Sequence, residues 1–355
     1  MYHKNSFKVN RYFFVVIAVL LLLTSCKVDF SPNAEWKEIP VVYCVLDQND
    51  DTTYVRIQKC FLGLGDNHQY TQISDSTNYP EGALTVRMVE RLAYADENNI
   101  MHPYGDANKV FDFEYKLLTD KPEGEFSAPG QPVYVCCTSG QLSSLRVYEL
   151  YVIKNATGDT IAQASTSLVG GNLESLAAGN GTFQFSGTEG SKVCQLKWNA
   201  LARARRYQPM VRFYYRDFIV SWNGVSYDTV TANHHIDIPG APTKSSTSAQ
   251  VETYNFPQSR FLNTIKDALA GDTLNKNVID TVDVYLLACS EDLAAYMYSN
   301  EASNTINQND FVYTNIKGGL GVFASRRTHL YKQFSTPGAA NSQYKKALKE
   351  LGVGF

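Results

Sequence analysis

Apolar and polar positions alternate one by one along much of this 355-residue chain, the spacing of half-buried strands rather than helices. Ile39 to Leu46 (IPVVYCVL) reads as a strand, Asp47 to Asp51 as a turn, and Thr52 to Leu62 as the returning strand. In the return, Tyr54, Arg56, Gln58 and Cys60 alternate with Val55, Ile57, Lys59 and Phe61. Such a pattern around a polar turn is a hairpin signature. Gly63 to Glu81 is polar and irregular and predicts a long exposed loop. Ala83 to Ala93 resumes the alternation, Asp96 to Asn108 reads as a second turn-rich loop, and Val110 to Leu118 places Phe111, Phe113 and Tyr115 on one face. Pro132 to Thr138 is a further strand, and Ser144 to Lys154 pairs with Thr160 to Leu168 across Asn155 to Asp159. Many short strands with turn signals predict a mainly β fold, with a first β-sandwich over residues 38–169.

Residues 170–181 (GGNLESLAAGNG from Gly170 to Gly181) are glycine-rich and carry no strand period, so they read as a linker. Beyond it, Cys194, Leu196 and Trp198 share one strand face, and Tyr207, Val211, Phe213 and Tyr215 share a face of the next strand. The block from Val193 to Tyr215 resembles strands B and C of fibronectin-type-III-like or immunoglobulin-like sandwiches. The resemblance implies a second β-sandwich of that type, over residues 182–335 with helical insertions. Phe218 to Trp222 and Ser226 to Ala232 form a hairpin across Asn223-Gly224, the strongest short turn signal in the chain. Ser259 is expected to cap a helix from about Arg260 to Ala270 that Gly271 ends, and Ser290 one running to about Ser299, after a strand from Val278 to Ala288. Residues 336–355 hold a C-terminal helix from Ala339 to Leu351, with Lys345, Lys346 and Lys349 suiting its C-terminal end.

The N-terminus departs from this period. His3, Lys4, Lys8 and Arg11 precede an unbroken apolar run from Tyr12 to Leu23, then Thr24, Ser25 and Cys26. A basic head, a short apolar run and small residues at the cut site make a secretory signal over residues 1–25. The run is too short for a transmembrane helix of ~20 residues. Leu23-Thr24-Ser25-Cys26 resembles the bacterial lipobox. The resemblance implies a Cys26 thioether-linked to diacylglycerol, cut on its amino side and then acylated. Residues 26–37 then form a polar tether. Lys27 follows the cysteine and Asp29 is the only acid nearby, so the membrane face stays open between cell surface and periplasm. What remains after cleavage is too long for one ordinary core, and two domains are the default.

The net charge of −3 carries no clustered basic face and excludes a nucleic-acid partner. Tyr at 23 and Phe at 18 favour strands. Seven cysteines are present: Cys26, Cys44, Cys60, Cys136, Cys137, Cys194 and Cys289. With Cys26 lipidated, six remain in a compartment that permits disulfides. Adjacent Cys136 and Cys137 point to opposite strand faces, and pairing outward from the turn sets Cys44 opposite about Arg56 rather than Cys60. Small buried thiols are the expectation, not a disulfide framework.

Catalytic signatures are missing: no Gly-x-Ser-x-Gly, His-Glu-x-x-His, phosphate-cradling loop or Cys-x-x-Cys occurs. No enzyme activity, metal or cofactor is expected. His234-His235 are neighbours that face opposite ways on a strand, a poor chelating pair. Asp47-x-Asn49-x-Asp51 echoes a calcium loop, but Thr52 stands where glycine is needed and Gln58 where the closing acid is needed, so a hairpin turn explains it. Arg203, Arg205 and Arg206 could attract an anionic ligand or lipid head group; a solvated loop is the preferred reading. The triplet Asp-(Ser/Thr)-(small, aliphatic or Thr) recurs at Asp51-Thr52, Asp75-Ser76, Asp159-Thr160, Asp228-Thr229, Asp272-Thr273 and Asp280-Thr281. It resembles the O-glycosylation sequon of Bacteroidota. The resemblance implies candidate acceptors at Thr52, Ser76, Thr160, Thr229, Thr273 and Thr281. Asp-Thr is also how a chain leaves a turn for a strand, and at least four of the six read as lying at such places.

Taken with the lipobox, VVYCVLDQNDDTTYVRIQKCFLG from Val41 and the LKW block, the late stretch Asn315-Ile-Lys-Gly-Gly-Leu-Gly-Val-Phe323 resembles an uncharacterised outer-membrane lipoprotein family of Bacteroidota. The family brings a fold and a location but no activity. The expectation is a lipid-anchored binding or scaffolding component of the outer-membrane envelope, as an accessory to a TonB-dependent transporter. The alternative is a surface polysaccharide-binding module built on exposed aromatic residues, with Trp36, Trp198 and Trp222 the only tryptophans. A hydrolase comes last, and would need a cleft with two carboxylates within ~10 Å.

Overall fold

Alternation in the sequence becomes alternation in burial. In β1 (Pro40–Leu46) Val42, Cys44 and Leu46 are buried and the residues between them only partly so; in β2 (Thr52–Lys59) Thr53, Val55 and Ile57 are buried. The computed structural model describes residues 38–60, 71–98, 100–119, 124, 130–245, 250–272, 274–301 and 313–353. Cys26, Thr273 and residues 1–37 with the expected leader and tether lie outside these. The protein is mainly β. Its strands continue with β3 (Leu84–Ala95), β4 (Met101–Leu118), β5 (Gln131–Cys137), β6 (Arg146–Lys154), β7 (Asp159–Ser167), β8 (Ala177–Ala178), β9 (Val193–Asn199), β10 (Ala204–Trp222), β11 (Tyr227–Pro239), β12 (Thr243–Lys244), β13 (Val251–Pro257), β14 (Asn275–Ser290) and β15 (Leu320–Ser335). The helices are α1 (Ser74–Thr77), α2 (Gln258–Ala268), α3 (Glu291–Glu301) and α4 (Gly338–Glu350).

One hydrogen-bonded sheet runs β11-β10-β14-β15-β1-β2-β5-β4-β3-β6-β7, with β12 beside β10. β15 is its pivot. Leu320–Ser325 pairs parallel with Val41–Leu46 of β1, and Arg326–Ser335 pairs antiparallel with β14. On the β1 side the sheet curls. β4 pairs β3 through Phe113 and β5 from Glu114 onward, so it turns the corner between two layers. At the far edge Gln163 of β7 bridges Lys317, and Ser325 Oγ donates to Ser167 O at 2.8 Å, bringing that edge back to the chain that enters β15. Val42, Leu46, Met88, Tyr148 and Phe323 fill this first core. On the other side, β11, β10, β14 and the second half of β15 face the small sheet β13-β9-β8 with α2 and α4. Trp198, Tyr207, Phe213, Phe256, Phe261 and Tyr344 fill this second core.

The glycines of the late stretch let β15 enter. A Cβ on Gly318 would lie 2.6 Å from Ile161 O and one on Gly319 2.5 Å from Pro40 O, while one on Gly321 (φ +103°) would overlap Val42 O. Asn315 brackets the entry: its Nδ2 donates to Phe323 O at 2.7 Å, and Phe323 N donates to its Oδ1 at 3.0 Å.

Several expectations are corrected. β4 begins at Met101, inside the stretch read as a loop over Asp96 to Asn108, because β3 supplies partners to a segment that is largely exposed on both faces and lacks an apolar alternation of its own. Within Gly63 to Glu81, Ser74–Thr77 is a helical turn. The register of Cys44 is as expected to within one place: it faces Val55, next to Arg56, and not Cys60. The N-cap of α2 is Pro257 and bears no side-chain cap bond, so Ser259 does not cap it. The six described cysteines are free thiols, but of the expected buried ones only Cys44 and Cys194 are buried, and Cys137 is exposed.

Candidate functional site

Between the two cores lies a pocket of about 380 Å³. One wall comes from the end of β7 (Ser165, Ser167) and from Val147 of β6; the other comes from Ser290 and the first turn of α3. Arg203, just before β10, and Arg205, its second residue, close it with Tyr313.

The arginines are not on a solvated loop. Arg203 has a φ of 65°, the only positive value among described non-glycine residues. Its Nε donates to Leu168 O at 2.8 Å and its Nη2 to Ser144 O at 2.7 Å, tying the strand entry of the second core to the chain that leaves the first. Burial pushes the Arg203 guanidinium below its ordinary pKa. Arg205 Nη1 donates to Ala204 O at 3.0 Å, while its buried Nε has no hydrogen-bond acceptor among the described residues. The nearest carboxylate, Glu291 Oε2, stands 3.6 Å from that Nε on a side chain 75% exposed. Arg206 turns away from the pocket and grips Glu301 with both nitrogens, at 3.2 and 2.6 Å, under the ring of Tyr298. The hydrogen bond to Glu301 raises the Arg206 pKa.

Asp292 is the perturbed acid of the pocket. Burial raises its pKa, and neighbouring Glu291 adds to the rise, while the Tyr313 hydroxyl donates to its Oδ1 and lowers it again. Burial, and then the same bond, raise Tyr313. The pocket thus offers two guanidinium groups, several hydroxyls and an acid biased towards its neutral form.

The sequence-predicted acceptors do not gather there. Thr52 opens β2 and lines a shallow hollow of about 580 Å³ on the outer sheet face, with Tyr54, Glu114 and Lys116. Ser76 is in α1. Thr160 and Thr229 are exposed near the starts of β7 and β11. Thr281 sits inside β14, paired with Ser335 and half-buried, not at a turn. His234 Nε2 reaches Asp217 Oδ2 at 3.2 Å, while His235 packs against Tyr214 on the other face. Asp47 is buried as the turn's hub: it accepts from Asn49 N and, at 2.7 Å, from Thr328 Oγ1. Among the described residues no group of three or more His, Cys, Asp or Glu is placed to hold a metal ion.

Two surfaces escaped the sequence reading. The β10–β11 hairpin outruns its neighbour: pairing with β14 stops at Phe218↔Asn275, but β10 and β11 pair on to Trp222↔Tyr227. Ile219, Val220, Trp222, Val225 and Val230 are all exposed there. Asn223 Oδ1 accepts from Val225 N and Ser226 N, so the tip amides are satisfied from within. On the outer face of the same sheet, Arg212 lies over Tyr285 at 4.9 Å and Tyr285 stacks on Tyr331 at 5.1 Å. Asp237 holds that guanidinium at 2.6 and 2.9 Å. Alternation alone could have placed Arg212, Tyr285 and Tyr331 on solvent-facing positions, but not beside one another. No family model matches the chain, and no curated protein matches it.

Proposed function

We propose that the chain is a lipid-anchored, extracytoplasmic binding or scaffolding protein of the outer-membrane envelope, without enzymatic activity. The leader and Cys26 argue for the location. The projecting β10–β11 hairpin carries the binding reading: Ile219 with Val230 on one face of the ribbon and Val220 with Trp222 on the other are left in water, apolar surface that a partner would cover. We read each core as the filling of a β-sandwich, the second of fibronectin-type-III or immunoglobulin type. A TonB-dependent transporter is the partner this reading names, by analogy with the lipoprotein family the sequence resembles. The test takes native membranes and asks whether the transporter co-purifies with the wild-type chain and not with Trp222→Ser/Val225→Ser. Equal recovery with both, or with neither, overturns the hairpin's role.

A second reading, a polysaccharide-binding surface, is favoured by the stacked Arg212, Tyr285 and Tyr331 and by exposed Tyr94 and Tyr104, 6.1 Å apart. Glycan retardation in an affinity gel, lost in Tyr331→Ala, is its check. A hydrolase remains third: Glu291 and Asp292 share the seam pocket, but they are chain neighbours on one helix and Glu291 is turned to solvent.

A further inference from the structure

The seam pocket holds two guanidinium groups whose donors its own side chains do not all answer. Arg203 is a half-buried guanidinium whose bonded donors meet only backbone carbonyls; among the described residues no carboxylate pairs with it. Arg205 keeps a buried Nε without an acceptor. A buried cation or donor left unpaired is costly, so such a group in a cavity is a place where a ligand gains. The backbone at Arg203 is also held in a region that residues other than glycine seldom enter, which fixes the origin of its side chain. Glu291 answers Arg205 only from solvent, at 3.6 Å. Asp292 is occupied with Tyr313, and burial favours its uncharged form. Around these groups stand the Ser165 and Ser290 side chains, in a space of about 380 Å³, the size for one monosaccharide-scale molecule.

We infer that the pocket between the two cores binds a small molecule through one oxyanion group, a carboxylate or a phosphate ester, held by Arg203 and Arg205. A planar guanidinium fork matches either group with two parallel hydrogen bonds, and the hydroxyls around it suit a polyhydroxylated body. The inference deepens, and rests on, the reading of the chain as a binding protein. Hairpin and pocket are separate surfaces, so failure of the transporter test leaves this one standing.

The test is calorimetric titration and thermal shift on the full chain purified in detergent, with inorganic phosphate, glucuronate and, as neutral control, glucose. Saturable binding of phosphate or glucuronate, weakened about tenfold or more in Arg205→Gln, is expected, the loss of one charge-assisted hydrogen bond. Phosphate alone identifies a phosphate ester, glucuronate alone a carboxylate. Arg203→Lys keeps the charge but loses the guanidinium donors not spent on Leu168 O and Ser144 O, and is expected to weaken binding, with circular dichroism checking that the fold survives the loss of those two bonds. No saturation by either anion at 10 mM-scale concentrations, equal binding of glucose, or binding untouched in both variants overturns the inference.

Discussion

Replacing Gly321 by alanine tests the seam where β15 meets β1. The new Cβ would overlap Val42 O and stand 2.9 Å from Val42 C and 3.0 Å from Val42 N. These are backbone atoms of a strand bonded on both sides, to β2 and to β15, so no side chain can swing away. The backbone at φ +103° adds strain of about 1–3 kcal/mol for any residue with a Cβ. Overpacking adds about 1–3 kcal/mol. A loss of about 3–5 kcal/mol is expected, a large share of the ~5–15 kcal/mol that holds a typical fold. Melting followed by circular dichroism should fall by roughly 6–15 °C. Gly158→Ala is the control: φ is +76° but no atom lies within 4 Å of its Cβ, so it carries strain without a clash and should cost about 1 kcal/mol. If the two variants melt together, β1 yields freely and the close approach of the strands is not what Gly321 provides. Amide exchange at Val322 and Phe323 locates the effect: it should quicken in Gly321→Ala and stay slow in the control.

Asn315→Ala strips Phe323 of both backbone partners and should cost about 2–4 kcal/mol in urea unfolding, since two buried polar groups lose their bonds. Asp237 is held below its usual pKa first by its hydrogen bonds to Arg212, so its contribution is whole above the unfolded value near ~4 and is lost as pH falls through the lower folded one. Arg212→Gln should therefore cost up to about 1 kcal/mol at pH 7, a figure reduced for solvent screening, and close to nothing at the acid end. Asp292 runs the other way: burial raises its pKa, so the fold prefers it protonated and gains stability as pH falls through the raised value. Asp292→Asn should flatten that slope and leave stability at pH 7 unchanged or higher, as read by melts from pH 4 to pH 8. Intact mass of the exported protein should exceed that of the lipidated chain by whole glycans, one lost in each of Thr160→Val and Thr229→Val; an unmodified mass ends the sequon reading.

The strands were legible because each carries its own evidence. Cys194, Leu196 and Trp198 alternate with polar neighbours and are buried in turn, and Asn223-Gly224 marks its hairpin turn without help from the rest of the chain. Partnership was not legible. Nothing near Val42 says that its outer neighbour is Gly321, because pairing across such a span leaves no local period. The start of β4 was missed for a related reason: its first residues are largely exposed on both faces, show no apolar alternation, and become a strand only because β3 receives them. The arginine trio shows the limit for sites. Composition put Arg203, Arg205 and Arg206 together, but the acceptors of Arg203 and Arg206 (Leu168, Ser144, Glu301) lie far off in sequence, and charge alone could not tell a clamp from a solvated loop.

The parallel pairing of β1 with β15 also sets an order of events on the way to the folded state. A chain delivered from its N-terminus makes β1 early and the strand that must lie beside it late. Until Leu320–Phe323 emerges, one flank of β1 has no partner and the first core lacks the ring of Phe323. Loop closure over so long a span is slow, and an unpaired strand edge invites pairing with other chains. The first core is therefore the one whose strand edge stays open longest during folding, and it closes only once Leu320–Phe323 is available to pair with β1.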